Sequence, residues 1–239
     1  MKELLQTAGE NLSFILTCLG IFAALCLLAL LAERLMKTRR ALGSARYISV
    51  VGVCAALSGV LMLLEIPLFF APSFYKMDLS EIPALFCGFY LGPVAGVLCE
   101  LLKVLMKLLF KGTTSAFVGD FANFAIGCSM VLPATILYHL RKSKRSAVAG
   151  LAVGTVLMTV FGSIFNAIYL LPKFAVLYGI PLDAIISMGT AVNPGITSVS
   201  TLVLFAVVPF NLLKGAIDSV LTFLLYKRVE HALFRKRSS

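Results

Sequence analysis

The feature that most constrains this chain is the recurrence of apolar runs long enough to cross a bilayer. Leu12 to Ala32, 48–70, 84–110, 118–139, 147–171 and 197–227 are each dominated by Leu, Val, Ile, Ala and Phe. A bilayer core is crossed by roughly 20 helical residues, and only a helix or a closed barrel satisfies its own backbone there. A barrel would show period-2 alternation in segments of about ten residues, and that pattern is absent from the sequence. The expectation is an all-α membrane protein. Composition agrees: 13% of the 239 residues are charged, against about 25% in an ordinary soluble domain.

Charge placement orders the runs. The segment before Leu12 is hardly basic and no small-residue cleavage site follows Ala32, so the first run reads as a membrane helix, not a signal peptide. Of the 21 Lys and Arg, five fall in 34–46, four in 141–145 and five in 227–237. These segments alternate to one face, whereas the other face holds Lys2, Lys76, Lys111 and Lys173. The positive-inside rule makes the richer face cytoplasmic. The chain is then one preceding helix plus six, with a cytoplasmic C-terminus in the cell membrane. Residues 1–46 form the additional helix and a basic linker, 47–228 a six-helix domain, and 229–239 a basic tail. The loop at 72–80 and the segments 112–117 and 172–196 lie outside.

Two stretches strain this count. Residues 81–111 must cross twice in about 31 residues, broken at Gly92-Pro93, so both helices are short or tilted. The run 197–227 would make about 46 Å of helix, too long for one upright span. Pro209 is the expected break, with 209–227 as the last span.

Polar residues inside these runs carry the functional signal. A Lys at the middle of a membrane helix costs about 2.5–3.5 kcal/mol, so each needs a partner or a watery cavity. Glu65, Glu100, Lys103, Lys107, Asn123, Asn166, Asn211, Lys214 and Asp218 form the set. Glu100 with Lys103, and Lys214 with Asp218, have helical spacing for ion pairs. Asn123, Asn166, Asn211 and Lys214 fall toward the outer ends of separate helices, among Phe117, Phe121, Phe124, Phe165, Tyr169, Phe205 and Phe210. Amides and flat rings converging on one side suit a planar heteroaromatic ligand. The stretch from Phe74 to Ala84 reads as a loop that starts a helix, with Asp78 as N-cap and Glu81 as its capping-box partner. It would serve as the wall or lid of the same pocket. In 48–70, Gly52 with Ala56 and Ala55 with Gly59 make smooth faces that suit either internal packing or a partner.

Other chemistries lack their residues. There is no G-x-x-x-x-G-K-[ST] loop for nucleotide phosphates. His139 and His231 lie near Lys and Arg without metal-ligand spacing, and no Ser/His/Asp or Cys/His set shares one side of the membrane. The six cysteines lie in apolar runs without a C-x-x-C pair, as reduced packing residues. Neither an enzyme, a resident cofactor nor nucleic-acid binding is expected.

KMDLSEIPALF, GPVAGVLCELLKVLMKLLFKGT, GDFANF and PFNLLKG together resemble the riboflavin-binding S components (RibU) of energy-coupling factor (ECF) transporters. The resemblance covers about 45–228 and implies a six-transmembrane-helix S-component bundle. The helix at 12–32 is additional to that pattern. The resemblance further implies riboflavin binding from outside for ATP-driven uptake, through a partner module of one transmembrane coupling protein and two ATPase subunits. By motif position it implies substrate contacts from Tyr75, Lys76, Met77, Asp78, Asn166, Asn211 and Lys214, beside Asn123 from the residue reading. It implies module docking through Gly52 and Ala56. S components for thiamine tend to stack their ligand on Trp, and this chain has none. An S component for another vitamin, or a stand-alone permease, is the alternative.

Overall fold

Three prolines, Pro133, Pro172 and Pro209, lie within helical stretches that continue past them. The computed structural model describes residues 2–36, 44–113, 115 and 117–234, with side chains placed from 13 to 226 within those ranges. The helices are α1 (Lys2–Leu35), α2 (Ala45–Leu63), α3 (Glu81–Leu91), α4 (Pro93–Lys111), α5 (Val118–Arg141) and α6 (Lys144–Phe165), then α7 (Leu171–Tyr178), α8 (Leu182–Thr190), α9 (Val199–Leu202) and α10 (Val208–Phe234). Among the described residues the only sheet is a ladder pairing Ile66 with Met77 and Pro67 with Lys76. Among the described residues, five helical stretches are long and apolar enough to cross a membrane: Ser13–Leu35, Ala45–Leu63, Val118–Arg141, Lys144–Tyr178 and Val199–Tyr226. The α3 helix is short at 11 residues, and α4 carries Glu100, Lys103, Lys107 and Lys111.

Lys144–Tyr178 and Val199–Tyr226 are continuous because each absorbs a proline in a π turn. Residues Asn166–Leu170 form the first, and Leu171 N–H reaches back to the Asn166 carbonyl. Residues Val203–Val207 form the second, where Val208 N–H bonds the Val203 carbonyl. The next residues are Pro172 and Pro209. A proline ring collides with the carbonyl four residues back and donates no hydrogen bond, and one widened turn relieves both problems. The break expected at Pro209 is therefore a bulge within one helix.

Close approach between helices follows small residues. A Cβ at Gly150 would lie 2.5 Å from the Ala134 carbonyl oxygen, and one at Gly154 would lie 2.6 Å from that of Met130. Glycine is required there for α5 and α6 to lie backbone to backbone. The two smooth faces of α2 take different duties. Ala55 and Gly59 are buried, Gly59 against Met106 of α4, whereas Gly52 is exposed with nothing near its Cβ position and Ala56 is half-buried. The turn between α3 and α4 uses Gly92 at φ +122°, followed by Pro93 in the first turn of α4. The additional helix α1 packs on α4 and α5. Of the basic clusters, Lys37, Arg39, Arg40 and the tail from Arg235 lie outside the described residues; Arg46 stands over the Tyr90 ring at 5.6 Å.

Replacing Gly154 with leucine should force α5 and α6 apart and cost about 1–3 kcal/mol. Thermal unfolding in detergent reads this as a lowered midpoint; an unchanged midpoint would contradict the close packing.

Candidate functional site

One end of the bundle, under the loop 64–80 and the segment 171–198, encloses a cavity of about 810 Å³. That is in the range of small-molecule sites, which run from about 300 to 1,000 Å³. Its floor and walls come from α5, α6, α10 and the first π turn, and its roof from the loop and α8.

The loop is held down by buried charge. Lys214 of α10 donates to the Asp78 carbonyl oxygen at 3.1 Å and pairs with the Asp78 carboxylate at 3.0 Å and Glu81 Oε2 at 2.8 Å. Glu81 Oε1 accepts from Lys103 of α4 at 3.0 Å; Lys103 also donates to Ser80 Oγ at 3.0 Å and lies 2.7 Å from Glu100. Lys103 and Glu100 are wholly buried and Lys214 is 5% exposed. Each of these lysines thus has carboxylates within contact distance, as a low-dielectric site demands.

Two expectations change here. The capping box does not form: Ser80 is the N-cap, Asp78 Oδ1 accepts from the Ser80 N–H at 2.9 Å, and Glu81 turns inward to two lysines. A buried ammonium outbids a backbone N–H that the Asp78 turn leaves out of reach. Lys214 does not bond Asp218, because Asp78 and Glu81 take it; both Asp218 oxygens lack a hydrogen-bond partner among the described residues. The Lys214 ammonium, which also lines the cavity, is compensated by Asp78 and Glu81.

The other site residues fall as follows. Tyr75, Lys76, Asp78, Asn123, Asn166, Asn211 and Lys214 all line the cavity. Met77 does not; it is committed to the ladder with Ile66. Tyr75 donates to Asn166 Oδ1 at 2.8 Å, and burial pushes its phenol up, so it remains a neutral donor. The amide nitrogens of Asn166 and Asn211 bond the carbonyls of Gly162 and Val207, at 2.7 and 3.1 Å. Asn123 is exposed toward the cavity, with its amide nitrogen on Gly119 at 3.2 Å.

Of the rings named from sequence, only Phe210 lines the cavity; Phe117 and Phe205 are exposed, and Phe165 and Tyr169 stack on each other away from it. The flat walls are instead Phe74, Tyr75, Phe174 and Tyr178 with Phe210. Tyr75 bridges Phe74 at 4.6 Å and Phe210 at 5.5 Å. Phe174 and Tyr178 escaped sequence reading because α7 continues a membrane helix past Pro172; their spacing of four on an apolar segment was the available signal.

At the mouth, Glu65 Oε2 accepts from Lys76 at 3.1 Å and from Lys111 at 2.8 Å, joining the loop to the end of α4. Deeper in, Lys107 bonds Asp120 at 2.6 Å and the Gly112 carbonyl at 3.0 Å. Partial burial raises the Glu65 carboxyl, but hydrogen bonds from Lys111 and Lys76 outweigh it and hold the net value below 4.5.

Two predictions follow from these charges. Lys214→Met takes the counter-ion from Asp78 and leaves Glu81 with Lys103 alone, and should cost about 3–5 kcal/mol of stability, whereas losing the ammonium of an ordinary surface pair costs at most about 1 kcal/mol. Thermal unfolding separates the two. Because the folded Glu65 value is depressed, its contribution is complete above pH 4.5 and disappears as pH falls through the lower folded value. Protection of the loop from proteolysis should hold between pH 5 and 7 and then drop, and Glu65→Gln should remove that acid step; an unaltered profile would exclude the latch.

With the geometry in place, known proteins can be compared. The sequence model of the family described as "ECF transporter, substrate-specific component" matches residues 46–226. The chain is 33% identical over 185 residues to riboflavin transporter RibU of Staphylococcus aureus (strain TCH60), covering 77% of this chain and 90% of that protein. It is 29% identical over 191 residues to riboflavin transporter FmnP of Bacillus subtilis (strain 168), covering 80% and 95%. A solved structure, described as "Structure and mechanism of the S component of a bacterial ECF transporter", superposes with a TM-score of 0.62 at 33% identity, over 79% of this chain and 98% of that one.

Proposed function

The chain belongs to the substrate-specific components of ECF transporters, and from that premise we propose that it binds riboflavin in the cavity for uptake driven by a partner module. It is a membrane transport protein, not an enzyme. The supporting observation is the cavity itself: aromatic walls at Tyr75 and Phe210 flank amide edges from Asn123, Asn166 and Asn211. An isoalloxazine ring is flat and apolar on its faces, with carbonyl and N–H groups on its rim. Rings stack on such faces and amides pair with such a rim. Relatives that share most of their length with this chain carry the name riboflavin transporter.

In this reading riboflavin enters at the mouth beside Glu65 and passes under the loop 72–80. The Tyr75 hydroxyl and the Asn166 amide, bonded to each other, exchange partners for the ligand. Riboflavin is cargo, and no resident cofactor is needed. Release falls to a module of one transmembrane coupling protein and two ATPases. The exposed Gly52 and half-buried Ala56 on α2 give that module a smooth face. The distribution of basic segments supports a cytoplasmic C-terminus.

The purified full chain should quench added riboflavin fluorescence and carry a yellow flavin spectrum. Asn211→Ala should weaken binding roughly 2- to 10-fold, the worth of one buried hydrogen bond. No quenching by the wild-type chain would overturn the substrate assignment. Uptake undiminished in cells without the ATPases would overturn the partner module and leave a stand-alone carrier.

A further inference from the structure

The helix α1 lies before the family match, which begins at residue 46, yet it packs on α4, on α5 and, through Phe14, on the first π turn. Its outward side chains, including Ile15, Leu16 and Leu19, are more than half exposed, as for a lipid-facing surface. Its other face is built in. Phe14 stacks on Tyr169 with ring centres 6.3 Å apart and planes 12° apart. Tyr169 stacks on Phe165 at 5.2 Å, and Phe165 on Phe161 at 5.4 Å. Tyr169 belongs to the first π turn, and the same turn carries Asn166 at the cavity wall. At the other end of α1, Glu33 is 4% exposed and its Oε1 accepts the Val94 N–H at 3.0 Å, at the start of α4. A carboxylate there also meets the positive end of that helix. A Cβ on Gly92 would come within 2.7 Å of the same oxygen, so the carboxylate fills the hollow of the turn.

We propose that α1 braces the ligand cavity from outside, with Phe14 and Glu33 as positioning residues that fix the π turn and hence Asn166. Glu33 pins the register of α1 along α4, and Phe14 caps the aromatic stack from the lipid side. A π turn has one long-reaching hydrogen bond in place of the regular ladder, so it depends on side-chain packing to hold one geometry. The effect on ligand residence rests on the riboflavin reading; the effect on the turn does not.

The test is hydrogen exchange of the ligand-free full chain in lipid nanodiscs, with riboflavin dissociation measured in parallel. In Phe14→Ala, exchange across 166–171 should rise roughly 2- to 10-fold, the worth of one aromatic pair, with exchange in α2 unchanged. Phe14→Tyr should restore wild-type exchange, since it keeps the ring. Glu33→Ala should raise exchange in both 13–35 and 166–171. If Phe14→Ala does not fold, Phe14→Leu should show the same rise in smaller measure. Riboflavin should leave the loosened variants faster by a similar factor. Unchanged exchange in 166–171 would overturn the brace, as would wild-type dissociation from a variant whose turn has loosened. Were the wild-type chain to bind no flavin, the substrate reading would fall and the exchange result alone would decide the brace.

Discussion

The Lys214 ammonium, buried between α10 and the loop, is the contact on which the site depends. It reaches the Asp78 carbonyl, the Asp78 carboxylate and Glu81 at 2.8–3.1 Å. Through Glu81 the same network continues to Lys103 and the centre of α4. Removing three or more charged groups from water is costly, and mutual pairing offsets that cost only in a fixed geometry. The network therefore fixes where the loop lies over the bundle. A cavity persists below it because the charges satisfy one another and leave the amides and rings to face the space.

The two π turns do related work at the level of the backbone. Each lets a helix carry a proline and continue, and each stands one turn or less from a cavity amide, Asn166 or Asn211. The amide nitrogens of both residues bond carbonyls four residues back, at Gly162 and Val207. The asparagines are thus oriented by their own helices before any ligand arrives, which lowers the ordering cost of binding. Pro209, which the sequence marked as a break, and Pro172 both follow such turns within continuous helices.

Much of this was legible in the sequence. Apolar length marked the long helices, Gly92-Pro93 marked the short α3–α4 turn, and the amides in separate runs marked one side of the cavity, whereas α8 falls in a segment that apolar length did not mark. What was not legible is partner choice. Lys214 and Asp218 have the spacing of a helical ion pair, but helical spacing states only that two groups can meet. Asp78 and Glu81, distant in sequence, compete for the same ammonium and win in the folded chain. Two aromatic walls, Phe174 and Tyr178, were missed for a like reason. They belong to a segment that composition marks as a connection, and only tertiary packing turns them toward the space. The α2 small-residue faces were ambiguous in sequence and were sorted by α4, whose Met106 covers Gly59 and leaves Gly52 open.

The central claim is that the cavity under the loop is the flavin site. A structure of the full chain with riboflavin bound tests it most directly. The account requires the isoalloxazine between the Tyr75 and Phe210 side of the cavity and the Asn123 amide, with Asn211 at its polar rim and Lys214 still on Asp78 and Glu81. Flavin bound elsewhere, or a Lys214 that abandons both carboxylates for the ligand, would contradict it.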